Sequence, residues 1–140
     1  MQKVRDIMST NVQYCTPLDN VYEAAVKMKD LNVGAIPIVE QDKVIGMVTD
    51  RDIVIRGIAE KRSGSYQITN VMSNQIIQAS PDDSVEYAAQ LMAEHQIRRL
   101  PVIENGRLVG IVSLGDISIN KQSDERAGEA LSDISKHDHP

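Results

Sequence analysis

Phenylalanine and tryptophan are absent from this 140-residue chain, and tyrosine occurs four times. An apolar core must therefore be built from Val, Ile, Leu, Met and Ala. The same scarcity leaves no row of aromatic faces on which single-stranded bases could stack. Positive charge is short as well: 15 Lys and Arg stand against 20 Asp and Glu, a net charge of −5. That balance offers no surplus of cations to displace counterions from a nucleic-acid backbone. Cysteine occurs once, at Cys15, so no internal disulfide can form, which fits a reducing cytoplasm. No run reaches the roughly 18 apolar residues of a membrane span. Lys3, Arg5 and Asp6 stand where a signal peptide needs an apolar run. The expectation is a cytoplasmic protein with neither nucleic acid nor membrane as partner. Nucleotide-loop signatures are missing too. No glycines form a G-x-G-x-x-G pattern, and Gly110 and Gly115 have phosphate-loop spacing but are followed by Asp116 where a Lys is required.

What the chain does have is a repeat. Met8-Ser9 recurs as Met72-Ser73, Pro17 as Pro81, Ala24-Ala25 as Ala88-Ala89, Pro37 as Pro101, Gly46 as Gly110, and Asp52-Ile53 as Asp116-Ile117. Every pair is 64 positions apart, and no gap is needed from about residue 4 to residue 55. A constant offset through helices and loops means one structural unit used twice. Each copy alone is near the lower limit for independent stability, so the two are expected to pack face to face around a pseudo-twofold axis. The boundaries expected are 1–61 for the first repeat, 62–67 for a polar linker, 68–120 for the second repeat and 121–140 for a tail. In that tail Ala127, Ala130, Leu131 and Ile134 share one face of a helix predicted over residues 123–135, with a frayed end beyond.

Within each repeat the pattern reads helical turn, strand, helix, strand, strand, helix: a mixed α/β unit with a small sheet. Residues 12–15 and 76–79 are the first strands. Asn20 with Glu23 three residues on predicts an N-capped helix to about Leu31, with Val21, Ala24, Ala25, Met28 and Leu31 inward and Gly34 as its stop. Ser84 to His95 is its counterpart, with Val85, Ala88, Ala89 and Met92 inward. Two hairpins follow, one turning at Gln41-Asp42 and one at Asn105-Gly106, the strongest short turn signal in the chain. A helix then starts at Asp50, with Ile53, Val54 and Ile58 on its buried side, and another at Leu114.

Two matched segments carry the chemistry. Gly46-Met47-Val48-Thr49-Asp50-Arg51-Asp52 and Gly110-Ile111-Val112-Ser113-Leu114-Gly115-Asp116 each end a strand on a hydroxyl and place a carboxylate three residues later. A strand end leading into a helix presents unpaired N–H groups, a setting that suits an anion. The carboxylate suits sugar hydroxyls. The same spacing is also a capping box, and the two roles are compatible. No set of residues supplies a nucleophile, an orienting base and an oxyanion site together. Cys15 reads as a buried strand thiol and His95 as a helix-end residue. No metal role is assigned to His137 and His139.

The repeat resembles the cystathionine β-synthase (CBS) domain. The matching residues are the Met-Ser openings, the Thr16-Pro17 and Ser80-Pro81 steps, the segments from Gly34 to Val39 and from Arg98 to Ile103, and the two Gly-to-Asp segments. The resemblance covers about residues 1–120 and implies a stand-alone tandem pair of β-α-β-β-α repeats, a Bateman module of the bacterial type. It implies a non-catalytic sensor that binds an adenosine-containing ligand (AMP, ADP, ATP, NAD(H) or S-adenosylmethionine) in clefts between the repeats and needs no cofactor. By the same resemblance Asp52 and Asp116 would bind ribose hydroxyls, and Thr49 and Ser113 would lie beside ribose or phosphate. Val12, Gln13, Ile76 and Ile77 would frame the adenine, with Ile36 and Leu100 walling it. Arg98 and Arg99 would meet phosphate, for which the planar guanidinium fork is suited. The first repeat departs there, with Gly34-Ala35 in place of the arginine pair, so the two clefts are expected to differ. A homodimer through helical faces and a separate effector protein are the expected partners. The alternatives are a structural dimerisation module with no physiological ligand, or an enzyme acting on a nucleotide.

Overall fold

The computed structural model describes residues 2–119, so the predicted tail helix and both tail histidines lie outside the described residues. The fold is mixed α/β and built from two compact units. Residues 13–76 form one; the described residues before 13 and after 76 form the other. The units therefore do not coincide with the sequence repeats. Each is assembled from the body of one repeat and the opening segment of the other.

In the unit of residues 13–76, helix α1 (Val21–Leu31) leads to strands β1 (Ala35–Glu40) and β2 (Lys43–Thr49). Asn20 Oδ1 accepts from the Glu23 N–H at 2.8 Å, and the Glu23 carboxylate accepts from the Asn20 N–H at 3.1 Å, which completes the predicted capping box. Val21, Ala24 and Met28 are buried as predicted, but Ala25 and Leu31 are exposed. The buried stripe is thus narrower than the five-residue pattern implied. The helix is ended by Asn32, at φ 55°, rather than by Gly34. The Val33 N–H then returns to the Met28 carbonyl at 3.0 Å, the closure that a left-handed terminal residue permits.

β1 and β2 are antiparallel, with a bulge between Ile38 and Val39. Gln41 and Asp42, at φ 51° and 66°, supply the turn that pairs strands of right-handed twist. The predicted first strand over residues 12–15 reduces to Cys15, which bridges Ile38 in parallel through Cys15 N–H to Pro37 O and Val39 N–H to Cys15 O. On the far side Met47 and Ser73 exchange hydrogen bonds of 2.9 and 2.7 Å. Met47 thereby spends both backbone groups away from Pro37, its partner in register, so the missing proline N–H costs nothing in the β1–β2 ladder.

Helix α2 (Asp50–Asp52) continues as a π-helical turn over Ile53–Gly57 and a 3-10 turn over Ile58–Glu60. The wider turn changes which side chains face inward. Ile53 and Gly57 are buried, whereas Val54 and Ile58, expected inside, are 51% and 66% exposed. Residues 62–67 are tied to α1: Tyr22 N–H donates to Gly64 O and Val21 N–H to Tyr66 O, both at 2.9 Å. Arg62 lies over the Tyr66 ring at 4.9 Å.

The second unit repeats this plan. Helix α3 (Val85–His95) buries Val85, Ala88, Ala89 and Met92 as predicted. Ser84 caps it and Gln96, at φ 55°, ends it. Strands β3 (Arg99–Glu104) and β4 (Arg107–Ser113) turn at Asn105-Gly106 and lead to helix α4 (Leu114–Ile119). Ala79 alone represents the predicted strand 76–79, bridging Val102 in parallel. The opening segment of the chain completes this unit. Ser9 pairs with Ile111, Val4 N–H donates to Asp83 O at 2.9 Å, and Val4 is fully buried in the unit's core.

Candidate functional site

Thr49 closes β2 in extended backbone and Asp52 follows in the first turn. Thr49 Oγ1 accepts from the Asp52 N–H at 3.0 Å, and Asp52 Oδ2 accepts from the Thr49 N–H at 2.9 Å. In the other unit Ser113 Oγ accepts from the Asp116 N–H, and Asp116 Oδ2 from the Ser113 N–H, each at 3.0 Å. Both matched segments are therefore reciprocal capping boxes, each contributing about 1 kcal/mol to its turn. All four residues are half-buried. Each box uses one carboxylate oxygen, and a carboxylate has roughly four lone-pair sites, so acceptor capacity remains on a side chain already held in place.

The start of the preceding strand is joined to each turn. Asp50 N–H donates to Gly34 O and Leu114 N–H to Arg98 O, both at 3.0 Å. Positions 34 and 98 thus occupy the same backbone place in their units, one occupied by glycine and the other by arginine. Arg98 and Arg99 are exposed. Ile36 and Leu100 are 1% and 0% exposed and lie in their units' apolar cores, packed among residues such as Ile38 and Val48 or Val102 and Val112. Val12 belongs to the unit of β3 and β4, while Gln13, exposed, begins the other. Ile76 ends the unit of residues 13–76, and Ile77 packs against the core that holds Val4 and Leu100 in the other unit.

One residue beside the site escaped the sequence reading. Arg56 Nη1 donates to Val71 O at 3.0 Å and to Met72 O at 3.1 Å, while Nη2 lies 4.0 Å from Asp52 Oδ1. Its spacing of four from Asp52 was a legible helical pair. Its main partners, in the opening segment of the other repeat, were not.

Burial pushes the Cys15 thiol up to about 11, against its use as a thiolate. Among the described residues no three His, Cys, Asp or Glu side chains gather to hold a metal ion. No helix among them is long and apolar enough to cross a membrane.

Comparison with known proteins agrees with this architecture. The CBS domain model matches residues 4–57 and again 68–119. The uncharacterized protein YlbB of Bacillus subtilis (strain 168) is 55% identical over 99% of this chain and 95% of its own. The crystal structure of Hypoxic Response Protein I with two coordinated zinc ions superposes with a TM-score of 0.75 at 36% identity, covering 85% of this chain and 98% of that one. The CBS domain pair of protein MJ0100, in complex with 5-methylthioadenosine and S-adenosyl-L-methionine, superposes with a TM-score of 0.71 at 30% identity, covering 85% and 94%. With the domain model matched twice in register with the 64-residue repeat, the chain belongs to the CBS domain family and carries two copies in tandem.

Proposed function

We propose that this chain is a non-catalytic sensor that binds an adenosine-containing ligand at its strand-to-helix turns, Thr49 to Asp52 and Ser113 to Asp116. CBS pairs are regulatory modules as a class, which supports the general reading. The observation that carries the particular one is the pair of capping boxes: each fixes a half-buried carboxylate through Oδ2 and leaves acceptor capacity for vicinal hydroxyls. The MJ0100 pair, 30% identical, is seen with two adenosine derivatives. Ligand binding would favour one arrangement of the chain over another by its difference in affinity for the two. In this reading no cofactor is needed, the protein works in the cytoplasm as a homodimer, and the output passes to a separate effector protein.

A thermal-shift series with AMP, ADP, ATP, NAD(H) and S-adenosylmethionine tests this. A ligand selective for the native state raises the melting temperature with concentration. Failure of all five at millimolar concentration would overturn the reading. Asp116→Ala should abolish or weaken the shift at its turn while lowering stability by only about 1 kcal/mol, the value of a cap.

A second reading, a structural dimerisation module with no ligand, draws on Val54, Ile55 and Ile58, which are 51%, 50% and 66% exposed along one short segment. Native mass spectrometry of freshly purified protein separates the two, since retained nucleotide supports the sensor and a ligand-free dimer the structural module. The remaining alternative is an enzyme acting on a nucleotide; turnover lost in Asp52→Asn or Asp116→Asn would support it.

A further inference from the structure

We infer that the two turns select ligands that differ in charge, and that Asp50 makes the turn of residues 49–52 a site for a nucleoside whose 5′ substituent is neutral or cationic. The inference rests on the reading of both turns as ribose sites.

The two turns are built alike in backbone and differently in charge. In one, Asp50 follows the strand-ending hydroxyl; in the other, Leu114 does, and it is buried. Opposite Leu114 across a 3.0 Å backbone bond stands Arg98, and opposite Asp50 across the same bond stands Gly34. The Asp50 carboxylate lies against this glycine. A Cβ at position 34 would lie 3.3 Å from Asp50 Oδ2, a tight contact, and 3.6 Å from Asp50 Cγ, an ordinary one. The Asp50 carboxylate therefore lies over the backbone position from which, in the other unit, an arginine side chain departs. It is held there, because Asp50 Oδ1 accepts from the Arg51 N–H at 2.8 Å.

Two cations share this turn with Asp50 and Asp52. Arg56 is engaged with Val71 O, Met72 O and Asp52. Arg51 and Asp50 are both exposed, so water and salt screen both charges, but the Asp50 carboxylate is fixed at the turn by its bond from the Arg51 N–H. A 5′ phosphate brought to this turn meets a fixed like charge. A 5′ thioether or sulfonium does not, and a sulfonium is attracted. At the other turn the charges near the equivalent place are Arg98 and Arg99, which suit a phosphate.

The test is an amide ¹H–¹⁵N titration of the full chain with adenosine, AMP and S-adenosylmethionine. The backbone signals of Asp50 and Arg51 report one turn, and those of Leu114 and Gly115 the other. Adenosine and S-adenosylmethionine should move the Asp50 and Arg51 signals at concentrations at least tenfold below AMP. AMP should move the Leu114 and Gly115 signals first. In Asp50→Asn, which keeps an acceptor for the Arg51 N–H, AMP affinity at the first turn should rise about tenfold, as expected for removing one nearby like charge. The second turn should be unchanged. If ligands bind but Asp50→Asn leaves the ratio of AMP to adenosine affinity unaltered, the charge assignment is overturned and the ribose reading stands. If none of the three moves either set of signals, the ribose reading falls and this inference falls with it.

Discussion

A methyl group on Gly46 would lie 2.6 Å from Met72 Sδ and 2.9 Å from the Ser73 carbonyl oxygen; on Gly110 it would lie 2.6 Å from Met8 Sδ and 2.9 Å from Ser9 O. The repeated glycine and the repeated Met-Ser step are therefore partners, and each glycine receives the Met-Ser of the other repeat. The thioether can turn aside, but the carbonyl belongs to a bridge that Met47 and Ser73 hold at both ends. Gly46→Ala should accordingly lower stability by roughly 1–3 kcal/mol, the range for overpacking, as read from the urea midpoint. An unchanged midpoint would mean that the bridge yields. The Asp residues at 52 and 116 teach a related lesson. Their spacing from Thr49 and Ser113 announced a capping box, and the structure builds both. Arg56 stayed hidden because what it holds, the carbonyls of Val71 and Met72, lies 15 and 16 positions away in sequence.

At the scale of elements, the helices with local signals behaved as those signals require. Asn20 with Glu23 and Ser84 with Tyr87 N–H cap α1 and α3. Their C-termini are less favourable: Asn32 tolerates the left-handed conformation, but Gln96 has no side-chain reason to adopt φ 55°. Gln96→Gly should raise stability by roughly 0.5–1 kcal/mol by removing that strain, as seen in thermal and urea unfolding. A loss of stability would show that the Gln96 side chain does more than end a helix. The short apolar runs at 12–15 and 76–79 carry strand composition yet supply one bridging residue each, Cys15 and Ala79. Strand propensity records fit to a half-buried surface, and only these two positions meet a neighbouring strand. After Asp52 a 3.6-residue period no longer describes the chain, so a pattern read at that period misplaces Val54 and Ile58.

At the scale of the whole molecule, the exchange of opening segments decides where stability resides. Ile68 and Val71 come from the second repeat but are fully buried in the core containing Cys15, Ala24 and Val48. Ile68→Ala should cost about 2–5 kcal/mol and should weaken hydrogen-exchange protection within residues 13–76. Amides from 77 to 119 should lose less. If the loss maps instead to the second repeat, the exchange is not how the folded chain is organised. The reciprocal seam, in the unit of β3 and β4, carries the Arg5–Asp82 pair at 2.6 Å. The Arg5 guanidinium holds the Asp82 carboxyl below its ordinary 3.8. A depressed carboxyl contributes stability above its unfolded pKa and loses it as pH falls through the folded one, so this contribution fades below about pH 4. Asp82→Asn should flatten the fall in urea midpoint between pH 5 and 3. The difference should shrink in high salt because both side chains are exposed.

The sequence by itself determined the repeat, the capped helices α1 and α3, both hairpins and their turns, the two capping boxes and the family, because each rests on residues within a few positions of one another or on the 64-residue copy. Tertiary structure alone decided which opening segment completes which unit, since Met8 and Met72 look the same in sequence and either could fit either glycine. It also decided that Ile36 and Leu100 are core residues, that Arg56 reaches across to Val71 and Met72, and that a carboxylate lies over Gly34 where its counterpart carries an arginine. Those outcomes depend on distances between segments far apart in the chain, which no local spacing encodes.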